Sequence, residues 1–136
     1  MEIYQNNHSL ASSAVQAAYL DADTREALID LMDGDAEMII DLVDTLVECT
    51  PELMTELEAG VIQKDADQIR NAAHALKSSN AQLGAMNFAA ICGELEELAR
   101  QSKIERAEAI LSTLQQELLR VNQALEAWKQ DLMLAS

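Results

Sequence analysis

The feature that most constrains the fold is a run of apolar residues at steps of four and three near the C-terminus. An extended strand would repeat every second residue, whereas this spacing keeps one side of a helix apolar over about seven turns. It predicts a long helix packed lengthwise against other helices. The positions are Ala107, Leu111, Leu114, Leu118, Val121, Leu125, Trp128 and Leu132.

Upstream, the same periodicity recurs in segments that polar residues and glycines separate. Asp23 or Thr24 is expected to cap a first helix that Gly34 ends. Asp35 is expected to cap the second. The apolar face of the first helix is predicted to consist of Leu28, Leu31 and Met32.

Pro51 leaves two interpretations of the second helix. Either a new helix starts there with Thr50 as its cap, or one long helix kinks at the proline. Gly60 is expected to mark its end. Asp65 should cap the following helix, which Gly84 closes or interrupts. The next helix ends before a break at residues 101–103, and its apolar positions are Phe88, Ile91, Leu95 and Leu98.

Together these segments predict an all-α protein, an antiparallel up-and-down four-helix bundle over residues 23–134. Pro occurs once and Gly four times, which is too few for strands joined by tight turns. Residues 1–22 are polar and rich in Ser, Asn and Gln. They are predicted to form a partly ordered arm with a helical turn against the bundle, in which His8 is only solvated.

The charge balance narrows the functional classes. Asp and Glu number 24 against 9 Lys and Arg, for a net charge of −15, which argues against nucleic acid as a partner. No apolar run approaches the roughly 20 residues of a membrane span. The N-terminus lacks the basic region of a signal peptide, so a cytoplasmic location is expected. Cys49 and Cys92 lack metal-site spacing and are expected to be buried free thiols.

Residues 71–93 contain no Asp or Glu, although the chain is strongly acidic. Lys77 carries the single formal charge of this window, which also holds His74. On a helical wheel at about 100° per residue, His74 lies roughly 140° from the core position Ile69 and should face solvent. The predicted core side comprises Ile69, Ala72, Ala73, Leu76 and Leu83.

The neighbours of His74 suit phosphoryl chemistry. A neutral imidazole is nucleophilic, and Arg70 and Lys77, one turn away on either side, would offset the charge of a phosphoryl group. Ser78 and Ala81 are small enough for another protein to close over the ring. The surface around His74 is expected to be free of carboxylates, so that no acid would repel the carboxylates around a Mg²⁺ ion. A histidine without a Ser, Cys or carboxylate partner does not make a hydrolase, and two distant histidines do not make a zinc site. Position alone leaves open that His74 is an ordinary surface residue.

The string AHALKSSNAQLGA, followed by CGELEELAR, closely resembles the histidine-containing phosphotransfer (HPt) domain family. The family pattern reads roughly A-H-x-L-K-G-S-S-x-x-x-G-A, then C-x-x-L-E-x-x-A-R. The resemblance covers about residues 20–125. The matching residues are Ala73, His74, Leu76, Lys77, Ser79, Gly84, Ala85, Cys92, Leu95, Glu96, Ala99 and Arg100.

The resemblance implies a four-helix bundle with additional N-terminal helical structure and a phosphocarrier without kinase activity. His74 would accept a phosphoryl group on Nε2 from a receiver-domain aspartate, and Lys77 would stabilise it. Nδ1 would be hydrogen-bonded to Glu96 or Gln82. The receiver would supply Mg²⁺, so no cofactor or metal is expected on this chain. The receiver docking face would comprise Arg70, Ser78, Ala81, Gln82 and Gly84.

Two residues depart from the family pattern. Ser78 stands where the family has Gly, and Asn80 where it has the second Ser. Ser78 is expected to narrow partner choice or slow transfer without blocking docking. Asn80 falls near the core side of the wheel, where it is expected to bond to the backbone or to cap the helix end.

These observations predict a phosphorelay carrier whose partners are response-regulator receiver domains and a hybrid sensor histidine kinase. A monomer is expected. The chain would be a stand-alone HPt protein or a module of a larger hybrid kinase, and the initial Met favours the first. The alternatives are an acidic helical adaptor without phosphotransfer, an HPt-like domain of a chemotaxis-type kinase, and an acidic nucleic-acid mimic.

Overall fold

The computed structural model describes residues 12–135, in which all regular secondary structure is helical. Helices α3 to α6 run up and down in turn, each packs against the next, and α6 returns to α3. The predicted four-helix bundle is therefore confirmed. None of the helices in the described range has the length and apolar content that a membrane span requires. The helices are α1 (12–19), α2 (Ala22–Leu31), α3 (Ala36–Gln63), α4 (Ala66–Gln82), α5 (Met86–Arg100) and α6 (Ile104–Ala135).

Aspartates begin α2, α3 and α4 by accepting a hydrogen bond from a backbone N–H of the first turn. Asp35 accepts from Met38 at 3.2 Å and Asp65 from Gln68 at 3.1 Å, as predicted. The predicted cap of α2 was wrong, because Asp21 takes that position. Its carboxylate accepts both the N–H and the hydroxyl of Thr24, at 2.9 and 2.7 Å.

Helix α3 continues through Pro51, which decides between the two interpretations of that region. Thr50 is not a cap, since its hydroxyl donates to the Leu46 carbonyl inside the helix at 3.3 Å. The predicted end at Gly60 was also wrong. Gly60 lies inside α3 where α4 passes closely, and a Cβ there would come within 3.1 Å of the backbone nitrogen and Cγ1 of Ile69.

The core lies between the four long helices, and every predicted apolar position of α6 is buried or half-buried. Two predictions of buried side chains were wrong. Leu31 is 77 % exposed, because α2 is short and buries none of its residues fully. Cys92 is a buried free thiol as predicted, but Cys49 is exposed on the outer side of α3.

Helix α1 is anchored at the end of the bundle where α6 finishes and α4 turns into α5. Buried Gln16 donates to Asp131 at 2.6 Å and accepts a bond from Arg25 at 2.8 Å. The Asp21 N–H donates to the Gly84 carbonyl at 2.8 Å. The arm boundary at residue 23 stays a prediction, and His8 lies outside the described residues.

Candidate functional site

His74 lies on the outer face of α4, as the wheel predicted, and its side chain is 62 % exposed. The opposite face of the helix is fixed by the core, which holds the histidine outward. Leu76, two residues away, is fully buried. All five predicted core-side positions are buried, namely Ile69, Ala72, Ala73, Leu76 and Leu83.

Glu96 contacts His74 from the neighbouring helix α5. Both of its carboxylate oxygens lie 3.2 Å from Nδ1 of the imidazole. Its Oε2 also lies 2.9 Å from Nζ of Lys77, and its Oε1 lies 3.6 Å from Nη2 of Arg100. Only 12 % of the Glu96 side chain is exposed, so three cationic or hydrogen-donating groups meet at one nearly buried carboxylate.

This arrangement keeps Glu96 ionised. The hydrogen bond from Lys77 is the main cause that lowers the pKa of Glu96, burial opposes it, and the hydrogen bond to His74 lowers the pKa further. An ionised carboxylate can only accept hydrogen bonds, so Nδ1 of His74 must carry the donated proton. In the neutral ring the lone pair then lies on Nε2. Nε2 is therefore the ring nitrogen that is free to act as a nucleophile.

The expectation of a surface without carboxylates was wrong. Glu96 reaches His74 from α5, and Asp67 forms an ion pair with Arg70 at 3.3 Å. The wheel of α4 shows only residues of that helix, whereas α5 runs antiparallel beside it and places Glu96 opposite His74. The carboxylate does not leave a free negative charge next to the ring, because Lys77 and Arg100 contact it.

The residues of the predicted docking face differ in how exposed they are. Ser78 and Gln82 are exposed on α4, and Ala81 is half-buried. The Gln82 amide donates to the Ser78 carbonyl at 3.4 Å, so Glu96 and not Gln82 is the partner of Nδ1. The assignment of Gly84 to an exposed face was wrong. Gly84 is buried with φ +84°, and a Cβ there would lie 3.2 Å from the Asp21 backbone.

Asn80, the second departure from the family pattern, is buried and supports the end of α4. Its side-chain amide donates to the Leu76 carbonyl at 2.9 Å. Its own carbonyl accepts from the N–H groups of Leu83 and Ala85, at 3.1 and 2.9 Å. The predicted bond to backbone is confirmed.

Helix α5 adds residues to this side of the molecule that the sequence argument missed. Met86 is 47 % exposed and Ala90 is exposed, although both are apolar. Gly93 lies beside the stem of Lys77, whose Cδ would be 3.5 Å from a Cβ at that position. The signal was present, since these three positions follow one another at helical spacing outside the core positions of α5.

An open cleft of about 320 Å³ lies beside the imidazole ring. Its lining combines residues of α4 with two residues from the last turns of α5. Within residues 12–135, no three His, Cys, Asp or Glu side chains are grouped as a metal site would require. The cleft is lined by Arg70, Asn71, His74, Glu96 and Arg100.

Comparisons with known proteins agree with this geometry. The model of the Hpt domain family matches residues 41–127, more than half of the chain. A solved structure of histidine-containing phosphotransfer protein B (HptB) from Pseudomonas aeruginosa PAO1 is similar, with 29 % identity and a TM-score of 0.77. The alignment covers 83 % of this chain and 96 % of that one. No curated protein matches the sequence. The chain therefore belongs to the Hpt domain family, the histidine-containing phosphotransfer domains that carry phosphoryl groups in phosphorelays.

Proposed function

We propose that His74 is the residue of this carrier that accepts the phosphoryl group, through Nε2. The donor is the phosphorylated aspartate of a receiver domain, and the acceptor is the receiver domain of a response regulator. One observation carries the proposal: the ionised Glu96 carboxylate binds Nδ1 and leaves the Nε2 lone pair on an exposed ring. The resemblance of the surrounding motif to the HPt pattern supports the same residue.

The transfer step follows from that tautomer. The Nε2 lone pair attacks the phosphorus of the aspartyl phosphate, and the bond between phosphorus and the carboxylate oxygen breaks. The electron pair of that bond stays on the aspartate. The ring becomes cationic while Nδ1 keeps its proton, and Glu96, 3.2 Å away, stabilises the positive charge. Passing the group on to another aspartate reverses each change.

Lys77 is suited to stabilise the transferred group. Its ammonium lies one turn from His74, and its side chain is 37 % exposed, so it can turn from Glu96 toward a phosphoryl group on the ring. A phosphoryl group offers three acceptor oxygens and attracts such a donor strongly. We therefore assign Lys77 the role of phosphate stabilisation that the resemblance implies.

The docking face for the receiver is proposed to extend from α4 onto α5. On α4 it comprises Arg70, Ser78, Ala81 and the exposed part of Gln82. On α5 it includes the exposed apolar side chain of Met86, which lies by helical spacing on the same face as Gly93, beside Lys77. Small and apolar side chains allow close approach. The serine hydroxyl at position 78 adds one polar group where the family has none.

The partner completes the chemistry in this proposal. The receiver brings the Mg²⁺ ion that its own carboxylates hold, and a hybrid sensor histidine kinase brings the nucleotide chemistry, so the chain acts as a carrier and not as a kinase. We place the protein in the cytoplasm as a monomer. Two unpaired cysteines support a reducing compartment, where disulfides are rare.

The test is uptake of labelled phosphate from a phosphorylated receiver in the presence of Mg²⁺. Wild type should acquire an acid-labile label, and His74→Gln should acquire none. His8→Gln, which changes the other histidine of the chain, is the matched control and should be labelled like wild type. Label on His74→Gln, or none on wild type from any of several receivers, would contradict the proposal and favour an adaptor without phosphotransfer.

A further inference from the structure

Arg100 approaches the same carboxylate as Lys77, but from the other oxygen. Its Nη2 lies 3.6 Å from Oε1 of Glu96, whereas Lys77 binds Oε2. Its other terminal nitrogen, Nη1, is held by Glu97 at 2.9 Å. The Arg100 side chain is 57 % exposed and lines the cleft beside His74, so it has room to move.

Phosphorylation of His74 would weaken the contact between Glu96 and Lys77. This step rests on the proposed function. A phosphoryl group on Nε2 competes with Glu96 for the Lys77 ammonium. If Lys77 turns away, a carboxylate that is 12 % exposed loses its nearest cation. The phosphorylated ring is cationic, but the negative phosphoryl group on Nε2 offsets that charge, so the ring alone compensates Glu96 poorly. Poor compensation of a nearly buried carboxylate is unfavourable and weakens its contact with Nδ1.

We infer that Arg100 is a reserve counter-ion for Glu96 and thereby a positioning residue for the phosphorylated histidine. When Lys77 binds the phosphoryl group, Arg100 closes the 3.6 Å gap to Oε1 and keeps the carboxylate against Nδ1. The guanidinium fork suits this role, because one nitrogen can stay on Glu97 while the other bonds Glu96. The i,i+4 spacing of Glu96 and Arg100 on α5 keeps the two side chains adjacent.

Few other titratable groups face Glu96 in the described part of the chain. From α4 they are His74 and Lys77, and from its own helix they are Arg100 and the buried thiol Cys92. Arg70 also lines the cleft, but it is paired with Asp67 and has no ion pair with Glu96. Apart from the His74 ring itself, Arg100 is therefore the cation nearest to Glu96 once Lys77 is removed.

The first test needs no phosphoryl group. The pKa of Glu96 is measured by carboxyl NMR in wild type, Lys77→Ala, Arg100→Gln and the double variant. Arg100→Gln should raise the pKa of Glu96 slightly in wild type and clearly more in the Lys77→Ala background, because there Arg100 has taken over the carboxylate. Arg100→Lys should preserve most of the low pKa. Equal shifts in the two backgrounds would overturn the inference.

The second test uses the phosphorylated protein. Arg100→Gln should move the phosphoryl equilibrium toward the receiver by about two- to five-fold, the size expected for an ion pair with an exposed partner. Arg120→Gln, at an exposed arginine on α6, should leave the equilibrium near that of wild type. Arg100→Lys keeps the charge without the fork and should shift the equilibrium less than Arg100→Gln. An unchanged equilibrium for Arg100→Gln would overturn the inference. Complete absence of uptake by wild type is a different result, which overturns the phosphocarrier function and leaves the titration of Glu96 to decide the reserve role.

Discussion

Both carboxylate oxygens of Glu96 lie 3.2 Å from Nδ1 of His74, across the interface between α4 and α5. This contact sets the tautomer of the ring and holds its plane, so that Nε2 faces outward. It depends on the packing of two helices rather than on any local motif of α4. The chemistry of the site is therefore a property of the bundle.

The stability of the protein in acid should depend on Glu96. Because its pKa is lowered in the folded state, chiefly by Lys77, its interactions contribute fully above the unfolded glutamate pKa of about 4.3. That contribution is lost as the pH falls through the lower folded value. We expect Glu96→Gln to flatten the pH dependence of the unfolding free energy below about pH 4.3, as measured by urea denaturation.

Glu94→Gln is the control for this measurement. Glu94 is an exposed carboxylate on the same helix, and it forms no ion pair within residues 12–135. Its substitution should leave the acid slope as in wild type. Identical slopes for wild type and Glu96→Gln would show that the Glu96 contacts add nothing to acid stability.

Removal of the Lys77 ammonium should slow phosphoryl transfer without unfolding the protein. Lys77→Ala leaves the phosphoryl group without its nearest cation, and we expect transfer to fall by up to about tenfold, since solvent screens a partly exposed charge. Rapid-quench kinetics with a phosphorylated receiver measure this. Lys129→Ala, which removes an ion pair with Asp44 between α3 and α6, should lower stability and leave transfer unchanged. Unaltered kinetics of Lys77→Ala would refute its role.

The turn between α4 and α5 should tolerate no side chain at Gly84. Gly84 has a left-handed backbone at φ +84°. An alanine Cβ there would lie 3.2 Å from both the backbone nitrogen and the backbone oxygen of Asp21. We expect a loss of about 2–4 kcal/mol of unfolding free energy, from conformation and contact together. Gly34→Ala is the matched control. It has φ +71° and no described atom within 4 Å of the new Cβ, and should lose only about 1–2 kcal/mol. Equal losses of unfolding free energy in the two variants would show that a Cβ at position 84 does not clash with the Asp21 backbone.

The two cysteines should differ sharply in reactivity. Burial raises the pKa of the Cys92 thiol to about 12, whereas Cys49 is exposed. Alkylation near pH 8, followed by mass spectrometry, should modify Cys49 quickly and Cys92 only as the protein unfolds. Denaturant should make both react. Fast modification of Cys92 in the native protein would contradict the packing of α5.

Sequence patterns predicted the parts of the fold that depend on local periodicity. The spacing on α6 and the core face around Leu76 were correct, because a helix exposes and buries residues at a fixed period. The predictions for two glycines, Gly60 as a helix end and Gly84 on the docking face, were wrong. Gly60 lies inside α3 to permit a close helix crossing, and Gly84 is buried under Asp21. Neither contact can be predicted from the sequence pattern, because each joins two segments that meet only in the folded protein.

The candidate site was predictable only in its α4 half. His74 and Lys77 followed from the wheel, the small residues and the family motif. The carboxylate beside the ring could not follow from α4, because it comes from α5. The family resemblance named Glu96 and Gln82 as alternatives, and helix packing decided for Glu96. Arg100 matched the family motif, but its place beside the same carboxylate became visible only in the structure.

Identifying the phosphorylated atom tests the proposed role of His74. The protein, labelled with ¹⁵N in its histidine rings, is phosphorylated by a receiver, and the coupling between ³¹P and the ring nitrogens is measured by NMR. We expect a single phosphohistidine, at Nε2 of His74, with Nδ1 still protonated and bonded to Glu96. Phosphorylation at Nδ1 of His74, or at another residue, would contradict it.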